Sequence, residues 1–424
     1  MYQAESASVL FKRGDKTDVS GRTRARVSKN VVLLGLVSLL TDVSSEMVST
    51  VLPIYAIVVL GASPLAYGFI DGLYQGAAAL VRIASGVLGD RWGRYKQLAV
   101  AGYSLSAVCR VGLLAFGASI GGLSVAIFTD RVGKGIRTAP RDALITLSSA
   151  RERLGTAFGV HRAMDTAGAM LGPLVAVGIL LLAPGKFDAV FAVSLCFAIL
   201  GVAVLVLFVQ NKRREQAKAT PDEDRPGLRA AFALLSISRY RTLTIIGSLL
   251  GLVTISDAFI YLGLQRSMDL DNALFPLLFV GSALAFMVLA VPVGKLADRI
   301  GRARVFVGGY ALLPIVYSSL LLPSTGVVEV GLALLMLGTY YAATDGVLSA
   351  AAGALVPSER VGSALGLLVT ATSLAKFAAS ILFGLLWTLV GLQTAALIFL
   401  IALVLVTCAA AATVGRPGWS AADA

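Results

Sequence analysis

The chain has 424 residues, of which 57% are hydrophobic and 14% charged, with a mean hydropathy of +0.84, values that exclude an ordinary water-soluble domain. The apolar residues fall in blocks of about 20, the length an α-helix needs to cross a hydrocarbon core roughly 30 Å thick, and unbroken apolar runs exclude a β-barrel. The net charge of +12 raises nucleic acid as a partner, but the excess sits on alternate loops and therefore belongs to one membrane face.

The first 30 residues form a polar, basic tail with Lys12, Arg13, Lys16, Arg22, Arg24, Arg26 and Lys29. They lack an apolar core followed by a small-residue cleavage site, so no removable signal peptide is expected and the first helix directs insertion. Spanning helices are predicted near 31–60, 65–88, 97–117, 120–147, 156–183 and 189–210. A second set is predicted near 241–265, 273–296, 304–322, 326–350, 361–388 and 392–414. The fold class is thus an all-α membrane protein of twelve transmembrane helices, with a six-helix bundle over 31–211 and another over 241–414.

Between the bundles, 212–240 reads as a solvated linker, basic and then acidic, and 415–424 as a short tail. Twelve spans put both ends on one side. Arg91, Arg94 and Lys96, then Arg151 and Arg153, then Arg299, Arg302 and Arg304 share that side with the N-terminal tail, whereas the opposite loops offer little beyond Lys186 and Arg266. The positive-inside rule makes both termini cytoplasmic, in a cell inner membrane.

Two internal matches support duplicated halves. GVLGDRWGR starts at 86 and GKLADRIGR at 294, 208 residues later; ERLGTAFG starts at 152 and ERVGSALG at 359, 207 residues later. Paired bundles with a site between them suit alternating access.

From about Val31 to Val414 the chain resembles the major facilitator superfamily, most specifically through GVLGDRWGRYK between spans two and three and its poorer copy between spans eight and nine. The resemblance implies a latch in which Asp90, flanked by Gly86 and repeated as Asp298, meets the start of span eleven near Ser358 and cations such as Arg94 or Arg141. The alternative is a set of positive-inside anchors around a tight turn. DRVGKGIRTAPRDAL at 130–144 carries Arg131 where the superfamily has a fourth-helix arginine, with Lys134 in place of the usual glutamine. With HRAMD at 161–165 and TDVSSEM at 41–47, it is similar to a widespread prokaryotic branch. GAMLGP at 168–173, containing Gly168, Gly172 and Pro173, resembles the motif of proton-exchanging exporters; close helix packing at small residues is the plain alternative.

Ionisable side chains within spans need pairing, water or neutralisation. Asp42 and Glu46, four residues apart on span one, project from one face, and two carboxylates so close cannot both ionise cheaply, so one is expected to cycle a proton. The resemblance places spans one, four, seven and ten around a central cavity, which implies that Arg131 and Asp257 face these acids. A permanent ion pair joining spans one and four is the alternative. Asp257, in the middle of span seven with Tyr261 one turn on, and Asp71 with Tyr74 on span two, are candidate substrate-binding residues. Arg110 and Lys376 are intramembrane cations whose convergence a sequence does not reveal; Asp165 and Asp345 are expected to neutralise such cations, and His161 to be structural.

No GxxxxGK[ST] loop suggests ATP as the driving force, and one histidine leaves no zinc motif, so no cofactor, metal or catalytic residue is expected. Cys109, Cys196 and Cys408 show no disulfide or metal spacing. The expected partners are the lipid bilayer, protons and a small-molecule substrate, handled by a monomer. Three readings remain: a proton-coupled exporter of small organic molecules, an importer of an anionic metabolite through Arg131, Lys134 and Arg110, and a non-transporting sensor or scaffold. Metal transport through Met47, Met164 and Met170 is a fourth, although methionine in an apolar helix is usually packing.

Overall fold

The computed structural model describes residues 28–92, 94–150, 153–211, 233–322, 326–357 and 360–414, without the side chains of residues 79, 80 and 82–92. Both tails, most of the linker and Ser358 therefore lie outside the described residues. So does the side chain of Asp90, and with it the expected latch of Gly86 and Asp90.

Among the described residues the helices group into twelve successive spans. They are α1 (Lys29–Ile54, continued by a π-turn over Tyr55–Val59), α2 (Pro64–Trp92), α3 (Tyr95–Phe116), α4 (Ile120–Leu147), α5 (Leu154–Leu182) and α6 (Phe187–Leu207). After the linker come α7a (Ser238–Leu252) and α7b (Asp257–Met268), α8 (Pro276–Ile300), α9a (Arg302–Tyr310) and α9b (Leu313–Ser319). The last are α10a (Val327–Thr344) and α10b (Val347–Ala354), α11 (Val361–Val390) and α12 (Leu392–Val414). Among the described residues, nine helical stretches are long and apolar enough to cross a membrane. The spans that fall short are α2, α4 and the interrupted α9, and α4 does so because it carries Asp130, Arg131, Lys134, Arg137, Arg141 and Asp142.

The surface is arranged for lipid. Val108, Phe116, Leu182 and Leu405 are 63 to 90% exposed, whereas Arg110, Asp130 and Arg131 are at most 4% exposed. Charges turned inward and apolar side chains turned outward suit a hydrocarbon solvent.

Three spans expected to be continuous are interrupted, for local reasons. In span seven the β-branched run Val253-Thr254-Ile255 follows a helix in which the Thr254 hydroxyl donates back to the Leu250 carbonyl at 2.7 Å, a bond that bends helices. The freed Ile255 N–H donates to the Tyr317 hydroxyl of α9b at 2.7 Å, so the break has a polar partner without water. Asp257 is thus the first residue of α7b, not a mid-helix residue. Span ten breaks at Asp345-Gly346, where Gly346 takes φ +79°, a conformation that a Cβ disfavours. Span nine is divided at Ala311-Leu312.

Within the first six spans, α1 packs on α5 and α6, and α4 on α2 and α3; within the last six, α8 packs on α10a and α11 on α7a and α12. The two sets meet chiefly where α2 lies against α11, and secondly where α5 lies against α8. At the first contact a Cβ on Gly68 would stand 2.5 Å from the Ser380 carbonyl oxygen, so the helices touch backbone to backbone. Leu65 N–H donates to Thr388 Oγ1 at 3.0 Å, and Tyr67 and Phe259 pack edge to face at 5.3 Å. These contacts lie toward the end where α1 turns into α2.

Candidate functional site

Glu46 and Asp42, expected on one face of α1, go to different neighbours. The 40° by which four helical residues overshoot a full turn, and the helices packed on either side of α1, direct them apart. Glu46 is buried; its Oε2 accepts from Ser49 at 2.6 Å, and it lies near Tyr74 of α2 and Arg131 of α4. Asp42 is partly buried and faces Asp165 on α5, whose buried Oδ1 accepts from no donor among the described residues. Two carboxyl groups facing each other in a helix interface do not both ionise cheaply.

Basic side chains surround the facing acids Asp42 and Asp165. Lys134 and Arg137 of α4 face Asp42, while Arg141, His161 and Arg162 stand near Asp165, with Arg162 Nη1 3.6 Å from its Oδ2. Arg137 donates to Ser106 of α3 at 2.9 Å and lies 4.7 Å over the Tyr103 ring. Arg141 pairs with Asp142 at 3.0 Å and donates to Ser38 of α1 at 3.4 Å. Asp165 therefore has a second partner beyond the cations that the sequence suggested for it.

Close approach of α1 and α5 brings these acids face to face. A Cβ on Gly168 would stand 2.5 Å from the Leu39 carbonyl oxygen, and one on Gly172 would stand 2.8 Å from both Glu46 Cβ and the Val43 carbonyl oxygen. Pro173, also buried, follows within the same helix. The GAMLGP segment thus sits directly against the stretch of α1 that carries Glu46.

Arg131 does not reach across to hold the acids of α1. Its guanidinium is fixed by the neighbouring Asp130, whose Oδ2 accepts from Nε at 3.0 Å and from Nη2. Arg110 of α3 meets the other oxygen of Asp130 at 3.2 Å and donates to Ser44 and Ser45 of α1 at 3.3 and 3.2 Å. The plane of Arg131 also covers the Tyr74 ring at 4.1 Å. Two arginines thus converge on one buried aspartate and tie α4, α3, α2 and α1 together. Asp130 was not singled out from the sequence, yet Thr-Asp at 129–130 recurs as Thr-Asp at 344–345 in span ten, and that repetition is a readable signal.

A cavity opens between the two sets of spans, lined by Ser49 and Leu52 of α1, Tyr67, Asp71, Tyr74 and Gln75 of α2, Asp257 and Ala258 of α7b, and Phe279 of α8. Asp71 accepts from Ser380 of α11 at 2.6 Å, and Asp257 accepts from the Tyr341 hydroxyl of α10a at 2.5 Å. Tyr261 is not among the lining residues: it is fully buried, with its hydroxyl on Ser282 at 2.5 Å and its ring 4.4 Å from Phe279. Of the remaining candidates, Arg94 is exposed just before α3, and Asp298 is exposed and paired with Arg302 one turn on at 3.2 Å. Lys376 of α11 runs its stem past Gly251 of α7a and does not join the arginines on α3 and α4. No metal-binding cluster occurs among the described residues.

With this architecture in place, comparison with known proteins is informative. The family model of the Major Facilitator Superfamily matches residues 34–277 and 258–418. An uncharacterized MFS-type transporter of Methanocaldococcus jannaschii, MJ1317, is 31% identical over 381 residues, covering 85% of this chain and 89% of that protein. A Mycobacterium tuberculosis protein, Rv2265, is 33% identical over 197 residues, 46% of this chain and 47% of its own length. Among solved structures, the nucleoside transporter NupG superposes with a TM-score of 0.74 at 15% identity, covering 92% of this chain and all of that one. A POT family transporter in complex with 5-aminolevulinic acid gives a TM-score of 0.71 at 14% identity, covering 90% and 95%. The chain belongs to the Major Facilitator Superfamily of membrane transporters.

Proposed function

We propose that this transporter works by alternating access as a proton-coupled exporter of small organic molecules, with the proton carried by the Asp42–Asp165 pair. The approach of those two carboxyl groups, with Asp165 Oδ1 buried and lacking a donor, carries the reading: a proton shared between them would sit inside the bilayer, in a helix interface that has to move if the protein changes state. GAMLGP, the exporter-like segment, supplies the close packing of that same interface. Glu46 then serves as a partner for Ser49 and the Arg131 region, and the Arg110–Asp130–Arg131 cluster braces the first six spans.

Both arginines face Asp130 at close range, which disfavours an anion importer built on them. Basic loops on one face argue for cytoplasmic termini in a cell inner membrane, and the latch of Gly86 and Asp90 with Arg94 or Arg141 is part of the proposal. The helices α1–α6 and α7a–α12 act as the two rocking bundles, in a monomer. Relatives of the same fold handle nucleosides and peptides, so the fold does not select the substrate.

A thermal-shift screen of purified protein against metabolites and drugs, run at about pH 6 and about pH 8, tests this reading. An exported substrate should stabilise the protein more at the higher pH, because it competes with the proton. Ligands that stabilise more at the lower pH would indicate symport instead.

A further inference from the structure

We propose that the substrate is an organic cation, held between Asp71 of α2 and Asp257 of α7b. This deepens the transport reading by giving the central cavity a ligand of stated charge.

The argument begins with charge placement. Asp71 is 5% exposed and Asp257 is partly buried, and both line the cavity between the two sets of spans. Both meet neutral hydroxyls, Asp71 those of Ser380 and of nearby Ser256, and Asp257 that of Tyr341. Among the described residues no lysine or arginine lies within ion-pair distance of either. The nearby positive cluster does not compensate them: Arg110 and Arg131 are matched in number by Asp130 and Glu46. Two acids facing one cavity at bilayer depth call for a positive counter-charge.

Tyr67 provides an independent observation. It is 2% exposed, lines the same cavity, and lies beside Asp71, Tyr74 and Asp257. A phenol lining the cavity beside two carboxylates offers a ligand both a hydroxyl and a π-face. The other walls are aromatic: Tyr67, Tyr74 and Phe279 surround the acids. Carboxylates for a charged nitrogen and π-faces for its substituents are the chemistry that recognises an alkyl or aryl ammonium. The acids also come from opposite sets of spans, so a bound cation would bridge the halves whose relative motion drives transport.

Binding of three cations, ethidium, tetraphenylphosphonium and phenethylamine, to purified protein in detergent tests the site, with fluorescein as the anionic comparison. Saturable binding is expected for at least one cation and none for fluorescein. Asp71→Asn and Asp257→Asn should each weaken it by about tenfold or more, Asp257→Glu should retain part of it, and Asp188→Asn, an exposed change, should leave it intact. All variants are to be compared as monodisperse protein. Failure of all three cations to bind, preference for fluorescein, or undiminished binding in both Asn variants overturns the inference. Cation binding in detergent needs no gradient, so a cation that binds through these acids without any link to pH would defeat the proton-exchange reading and leave the site standing.

Discussion

Asp42 of α1 and Asp165 of α5 face each other across a helix interface that glycine has brought to backbone distance. The arrangement separates two duties that sequence spacing suggested for one pair. Asp42 works with α5, while Glu46, one turn on, belongs to the polar network of α2 and α4.

Asp42→Asn and Asp165→Asn should each abolish accumulation driven by a proton gradient in proteoliposomes while leaving exchange of labelled for unlabelled substrate in place, since exchange needs no net proton movement. Glu46→Gln should retain gradient-driven accumulation. Loss of coupling in Glu46→Gln with both Asp variants active would return the proton to α1 alone.

Asp130→Ala leaves two buried guanidinium groups without their shared anion, and a broken buried ion pair costs about 3–5 kcal/mol. A clear fall in thermal stability in detergent is expected. Arg131→Lys should be milder for stability but large for transport, because an ammonium cannot grip Asp130 with two nitrogens while covering the Tyr74 ring. Near-normal transport in Arg131→Lys would reduce its role to that of a positive charge.

Gly172→Ala adds a methyl group 2.8 Å from Glu46 Cβ and the Val43 carbonyl oxygen, and overpacking of this type costs about 1–3 kcal/mol. Thermal stability should fall, and Gly172→Leu should fall further and block cycling. An unchanged melting temperature in both would mean that α5 stands farther from α1.

How much of this was legible depends on which property a linear chain displays. Span number and length follow from hydropathy because a bilayer demands about 20 apolar residues, and the repeated GDRWGR and ADRIGR segments marked the duplication. The breaks before Asp257 and at Gly346 escaped that reading, since Val253-Thr254-Ile255 is as apolar as a continuous helix and its bend depends on Tyr317, 62 residues on. Asp130 escaped because a partner for Arg131 was sought across helices, whereas the partner is the preceding residue. Asp165 was visible, but its approach to Asp42 depends on how α5 is rotated against α1, which spacing does not encode. The side chain of Asp90 lies outside the described residues, and the latch rests on the motif.

Gly346→Ala probes the break in span ten. A left-handed backbone costs a residue with a Cβ roughly 1–2 kcal/mol, so this change should lower stability by about that amount, while Gly362→Ala, at an open position, should not. Equal stability of the two would imply that span ten closes into a continuous helix.

The proton count on ligand binding tests the central claim most directly. In weakly buffered detergent solution near neutral pH, a ligand from the screen should release about one proton per molecule bound to the wild-type protein, and its affinity should fall as pH is lowered, because linkage makes the coupling reciprocal. Asp165→Asn should bind the same ligand with no release. Proton uptake on binding, or affinity that rises as pH falls, would contradict the exporter account.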